Sequence, residues 1–82
     1  FLWLHFFGPH EKLIADLGFT AQEPRIVAEY DRDVERTDRA VGSFLDRLRE
    51  LGAIDETLVI VHADHGQNLG EHGYVGHGMR LD

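Results

Sequence analysis

Eighty-two residues allow one small domain at most, and a chain of that length buries only roughly 60 to 65% of its unfolded surface. Eight Lys and Arg against fifteen Asp and Glu leave a net charge of −7, which argues against nucleic acid or an anionic membrane surface as the principal partner. With no cysteine, the stretch holds no disulfide framework, thiolate zinc site or cysteine nucleophile.

Phe1 to Phe7, FLWLHFF, has the aromatic and branched composition of a strand, and Gly8-Pro9 stops it just before His10. The run lacks the basic flank and cleavage site of a signal peptide, and no apolar stretch approaches the ~20 residues of a membrane span. It begins apolar at Phe1, and Met79-Arg80-Leu81-Asp82 ends it without a polar tail, so an internal segment of something larger is expected. Glu11 to Glu23 carries the weakest pattern and is expected to be an irregular excursion, with a helical turn or two before Gly18.

From Pro24 to Leu51 the apolar residues Ile26, Val27, Tyr30, Val34, Val41, Phe44, Leu45, Leu48 and Leu51 recur at three and four, which predicts one long amphipathic helix. Thr20-Ala21-Gln22-Glu23 resembles a capping box, Pro24 is tolerated in a first turn, and Gly52 supplies the stop. The charged residues between Glu29 and Glu50 form the opposite face, with Glu35 and Arg39 a favourable pair at four; such a face is expected to be solvated. Thr37 and Asp38 lie nearer the apolar seam and are read as structural.

Ala53 to Glu56 is a tight connection into Thr57 to His62, whose run Leu58-Val59-Ile60-Val61 suits a strand buried on both faces. Strand, helix and strand make one βαβ unit, part of a larger mixed α/β sheet, with parallel strands linked right-handedly. Parallel strands bring their C-terminal ends to one edge of the sheet. That places His10 on the same side as His62-Ala63-Asp64-His65-Gly66, the corner where an α/β protein puts a metal or substrate site.

All six histidines, His5, His10, His62, His65, His72 and His77, fall outside the helix. Asp64 and His65 offer one hard oxygen and one imidazole nitrogen, suited to zinc, manganese, iron or, less typically, calcium. A turn residue beside an exposed imidazole has the same appearance, but Gly66, Gly70, Gly73, Gly76 and Gly78 interleave with His65, Glu71, His72 and His77 and permit close backbone approach around a ligand. A protein metal site needs at least three ligands, so others must come from His72, His77 or elsewhere. His77 is either a contact to an anionic substrate or an ordinary surface histidine; His10 is a candidate proton donor to a leaving group, with the same alternative. His5 and His62 are read as hydrogen-bonded core histidines, and Tyr74 as packing the loop. Glu71 and His72 stay open.

FLWLHFFGPHE, the helix segment YDRDVERTDRAVGSFLDRLRELG and TLVIVHADHGQNLGEHGYVGHG together resemble the sulfatase family of the alkaline phosphatase superfamily, over nearly all the chain except Glu11 to Glu23. The resemblance implies an alkaline-phosphatase-like sheet, of which residues 1–82 are a partial domain: one βαβ unit followed by a Gly- and His-rich site loop. It implies that Asp64 and His65 ligate a divalent metal, Ca2+ foremost, with Mn2+ or Zn2+ also compatible. His77 falls where the family has a Lys or His that contacts the sulfate or phosphate group, and Pro9-His10 matches a pair whose His lies near the leaving-group oxygen. Two departures stand out: Gly8 where many relatives have Asp, and Gln67 where many have Glu.

The nucleophile, a formylglycine made from Cys or Ser in sulfatases or a Thr or Ser in transferase relatives, is expected outside these residues, as is an N-terminal pair of metal-binding Asp residues. The implied function is hydrolysis of a small sulfate ester, or less typically a phosphate one, by the full-length protein, with the stretch alone inactive. The alternatives are a phosphoglycerol or phosphoethanolamine transferase, a phosphonate or phosphodiester hydrolase, and a non-catalytic metal-binding module. Expected partners are that substrate and the remainder of the domain, with no nucleic acid and no membrane contact from this segment.

Overall fold

A computed structural model describes residues 1–9, 24–70 and 75–78. Its dominant element is the helix α1, Pro24–Glu50, 27 residues long and so about 40 Å from end to end. Its bounds match the apolar repeat, with Pro24 in the first turn, where a missing N–H breaks no helical bond. The capping box proposed for Thr20 to Glu23 lies outside the described residues.

The far end closes on Gly52, whose φ of 70° is a conformation that costs a side-chain-bearing residue about 1 kcal/mol or more. Ala53 N–H donates back to Leu48 O at 2.9 Å and Gly52 N–H to Arg49 O at 3.0 Å. These two bonds form a Schellman motif, which satisfies carbonyls that a helix end otherwise leaves without donors. Arg47 and Arg49 in the last turn add positive charge against the negative end of the helix dipole.

The outer face is solvated, as the charge pattern predicts. Glu35 and Arg39 close to 2.6 Å, Glu29 and Arg32 to 2.7 Å, and Asp46 and Arg49 to 2.6 Å. All six side chains are largely exposed, so each pair contributes at most ~0.5 kcal/mol. On the inner face Ile26 is 1% exposed, and Tyr30, Thr37, Val41, Phe44, Leu45 and Leu48 are half-buried. Val27 and Val34, expected on the same stripe, are exposed. At 100° per residue they stand roughly 80 to 100° round from Ile26, on the margin of the stripe.

Thr37 also anchors the N-terminal segment. Its hydroxyl donates to Asp33 O at 2.9 Å, and Gly8 rests so close above it that a Cβ at position 8 would collide with Thr37 Oγ1, with Asp33 O only 3.5 Å away. Close approach to α1 is thus a physical reason for glycine at position 8. Gly8→Ala is expected to destabilise the full-length protein by roughly 1 to 3 kcal/mol, the usual cost of overpacking. Adding Thr37→Ala should recover part of that loss, as a thermal-unfolding double-mutant cycle would show.

After α1, Ile54–Glu56 forms a single 3-10 turn. Thr57 closes it, with its N–H donating to Ile54 O at 3.2 Å and its hydroxyl to Ala53 O at 2.5 Å. The tight connection is as expected.

The βαβ unit is not shown. Residues 1–7 and 57–63 carry no strand assignment, and the sheet among the described residues is a two-stranded one elsewhere. The two stretches nevertheless lie together. The Trp3 ring stands edge-on to His62 with centroids 6.0 Å apart.

Leu58 is 85% and Ile60 73% exposed, where burial on both faces was expected. Parallel strands gain their ladders and burial from neighbouring strands and from helices on both faces, and a lone pair is marginal in water.

The strands that do form are short: β1, Asn68–Leu69, and β2, Val75–Gly76, antiparallel with Asn68 opposite Gly76 and Leu69 opposite Val75. Two-residue strands carry no alternation, so this hairpin has no signature in the sequence pattern.

Candidate functional site

Where the second extended stretch ends, Asp64, His65 and Gly66 form a corner fixed by short-range bonds. His65 N–H donates to Asp64 Oδ1 at 3.1 Å, and His65 Nδ1 lies 2.8 Å from Gly66 O. A carbonyl oxygen only accepts, so this bond places the ring proton on Nδ1 and leaves the lone pair on Nε2. Nε2 in turn stands 3.7 Å from Asp64 Oδ2. That separation suits two neighbouring ligands, each about 2.0 to 2.2 Å from one ion, and a carbonyl behind the ring is the usual device for orienting a metal-binding histidine.

The Asp64 carboxyl is held below its ordinary value of 3.8. Hydrogen bonding from its own backbone N–H is the largest cause; desolvation opposes it, and the charge of His65, the His65 amide and the charge of His5 add to the lowering. The group is therefore a carboxylate at neutral pH, the form in which a carboxyl group can ligate a metal. The corner fits a divalent ion as one edge of its coordination shell. Among the described residues no group of three or more His, Cys, Asp or Glu is placed to hold an ion, so at least one further ligand is required.

The hairpin brings His77 to this corner. Carrying the register of Asn68 with Gly76 one residue outward pairs Gln67 with His77, and Gln67 Oε1 lies 3.0 Å from His77 Nδ1. The His77 ring stacks on His65, with centroids 4.1 Å apart and planes inclined by 24°. The bend is stabilised by Asn68, whose Oδ1 accepts Gly70 N–H at 3.0 Å, and by Gly70 at φ 111°. Asp64 and its neighbour His65 are thus gathered in one place with His77.

Other sequence-derived candidates fare differently. His10, Glu71, His72 and Tyr74 lie outside the described residues. His5 and His62, read as core histidines, are exposed. His5 stacks on Phe7 at 4.2 Å and His62 meets Trp3, because the sheet that would bury them is not formed among the described residues. Asp38 is exposed on α1, consistent with no part in the site. One neighbour was missed as a site residue. Gln67 was noted only as a departure, although its place one residue before β1 pairs it with His77.

The Sulfatase family model matches residues 1–82. The chain is 38% identical to the mouse (Mus musculus) protein named steryl-sulfatase over 78 residues, covering 95% of this chain and 12% of that protein. It is also 38% identical over 48 residues to the low-salt glycan biosynthesis sulfotransferase Agl7 of Haloferax volcanii, covering 58% of this chain and again 12% of the relative. The chain therefore spans about 12% of the length of either relative. No solved structure matches it. A match along the whole chain, joined to the DHG corner and the histidine folded back onto it, shows that the chain belongs to the sulfatase family, whose domain has an alkaline-phosphatase-like α/β fold.

Proposed function

We propose that this chain is the distal part of the catalytic domain of a sulfuric ester hydrolase, contributing one edge of a metal site and a substrate-contacting histidine. The observation that carries this reading is the convergence of Asp64, His65 and His77, with Asp64 Oδ2 and His65 Nε2 3.7 Å apart and the His77 ring stacked 4.1 Å above His65. In the full domain, residues 1–7 and 57–62 are proposed to complete the parallel strands of a βαβ unit around α1.

Asp64 and His65 are the residues that would hold a divalent cation, Ca2+ by resemblance and Mn2+ or Zn2+ by donor type. Such an ion, when bound, supplies Lewis-acid stabilisation of the ester oxygens and of an attacking oxygen. In this reading the chain's own residues have the following roles. Asp64 stays ionised and so remains a ligand across the neutral range. The bond from His65 Nδ1 to Gly66 O orients the ring and leaves Nε2 as the nitrogen turned toward an ion. His77, with Nδ1 committed to Gln67, presents Nε2–H in its protonated form to an oxygen of the sulfate group, where negative charge accumulates as the ester bond breaks. His10 is proposed, on the resemblance alone, to donate the proton to the departing alcohol. The nucleophile the resemblance implies has no counterpart in these 82 residues, so the stretch by itself is proposed to be inactive.

The name of the Haloferax volcanii relative favours a second reading, in which the same residues serve sulfuryl transfer to an acceptor other than water. Full-length protein assayed on 4-nitrophenyl sulfate and 4-nitrophenyl phosphate tests the main reading. Release of nitrophenol from the sulfate, faster than from the phosphate, is the expected result. Preference for the phosphate would reassign the protein to the phosphohydrolase or phosphotransferase branch, and nitrophenol release that depends on an added alcohol acceptor would favour the transferase.

A further inference from the structure

We propose that Gln67 is a positioning residue for His77, selecting which edge of the imidazole faces the substrate. This rests on the substrate-contact role given to His77 above. Ring stacking on His65 sets the plane of the His77 imidazole, but it does not distinguish the ring from its flipped form. A half-turn about the Cβ–Cγ bond exchanges Nδ1 with Cδ2 and Nε2 with Cε1. It preserves the stack and removes a nitrogen from the place where a donor to the sulfate is needed. The bond to Gln67 Oε1 at 3.0 Å breaks that symmetry. Only one flip offers Nδ1–H to the acceptor, and that flip fixes the position of Nε2.

The hairpin makes the arrangement dependable. Gln67 and His77 occupy the pair just outside the Asn68 and Gly76 register, so each side chain is held by backbone pairing rather than by a long excursion. Both residues are half-buried, where a hydrogen bond between them competes less with water. The amide performs this task without charge. A glutamate would accept the same bond.

The test uses full-length protein, an aryl sulfate as substrate and inorganic sulfate as a competing ligand. Gln67→Met keeps the length of the side chain and removes the acceptor; Gln67→Glu keeps the acceptor. Gln67→Met is expected to lower kcat/KM by about tenfold to a hundredfold and to weaken inhibition by inorganic sulfate, with Gln67→Glu retaining most of the kcat/KM. In a His77→Ala background, Gln67→Met should add nothing, because the group it orients is gone. Wild-type values for Gln67→Met while His77→Ala is impaired would overturn the role of Gln67 alone. So would equal losses in Met and Glu variants, or a further loss in the His77→Ala background. If His77→Ala itself loses neither turnover nor sulfate inhibition, the failure belongs to the substrate-contact role of His77.

Discussion

Replacing Asp64 with alanine in the full-length protein is expected to lower hydrolysis of an aryl sulfate by more than about 100-fold. Removing a group that merely orients a metal ligand typically costs about 10- to 100-fold, and a ligand itself sets a larger loss. The substitution leaves His65 Nε2 without the oxygen 3.7 Å away and takes away the acceptor of His65 N–H, so donor set and corner geometry suffer together. Asp64→Asn separates these effects. Its amide oxygen still accepts the His65 N–H, while the negative charge is lost. It should therefore fold and melt like the metal-stripped parent, yet lose most of the activity. Because the Asp64 side chain is 79% exposed among these residues, neither change should cost much stability beyond what the loss of a bound ion removes, and thermal unfolding with chelator present checks that.

His77→Ala carries the second large effect, a fall in kcat of about 100- to 1000-fold, the usual cost of removing one donor to a developing anion. The loss should appear in kcat as much as in kcat/KM, since the interaction strengthens as charge moves onto the outer oxygens of the sulfate. His77→Lys should restore part of the rate, because an ammonium supplies a donor at that position without needing the ring orientation Gln67 provides. An aryl sulfate series with leaving groups of differing acidity adds a control. If His77 contacts the sulfate oxygens, the loss on substitution should be nearly independent of the leaving group.

Much of this was legible in the residues themselves. The three-and-four spacing from Ile26 to Leu48 located α1 almost to its ends, because a helix declares its period locally and Gly52 declares its stop. The Asp64-His65 corner was legible for a similar reason: its bonds run between adjacent residues. What escaped the sequence depends on partners distant along the chain. The hydrophobic run at Leu58 to Val61 reads as a buried strand, and so it would be with neighbours on each side; within these residues it stays exposed, and the ladder is missing. Gln67 looked like a simple departure from the family pattern because its meaning lies ten residues away, across a hairpin too short to show a period. The requirement for Gly8 was likewise invisible until Thr37 was seen beneath it.

The central claim is that Asp64 and His65 hold a divalent ion beside His77, and elemental analysis of purified full-length protein reads it most directly. The account predicts a tightly bound divalent metal in the wild-type protein that is largely lost from Asp64→Ala, together with the aryl sulfatase activity. Unchanged metal content and unchanged hydrolysis in Asp64→Ala would contradict it.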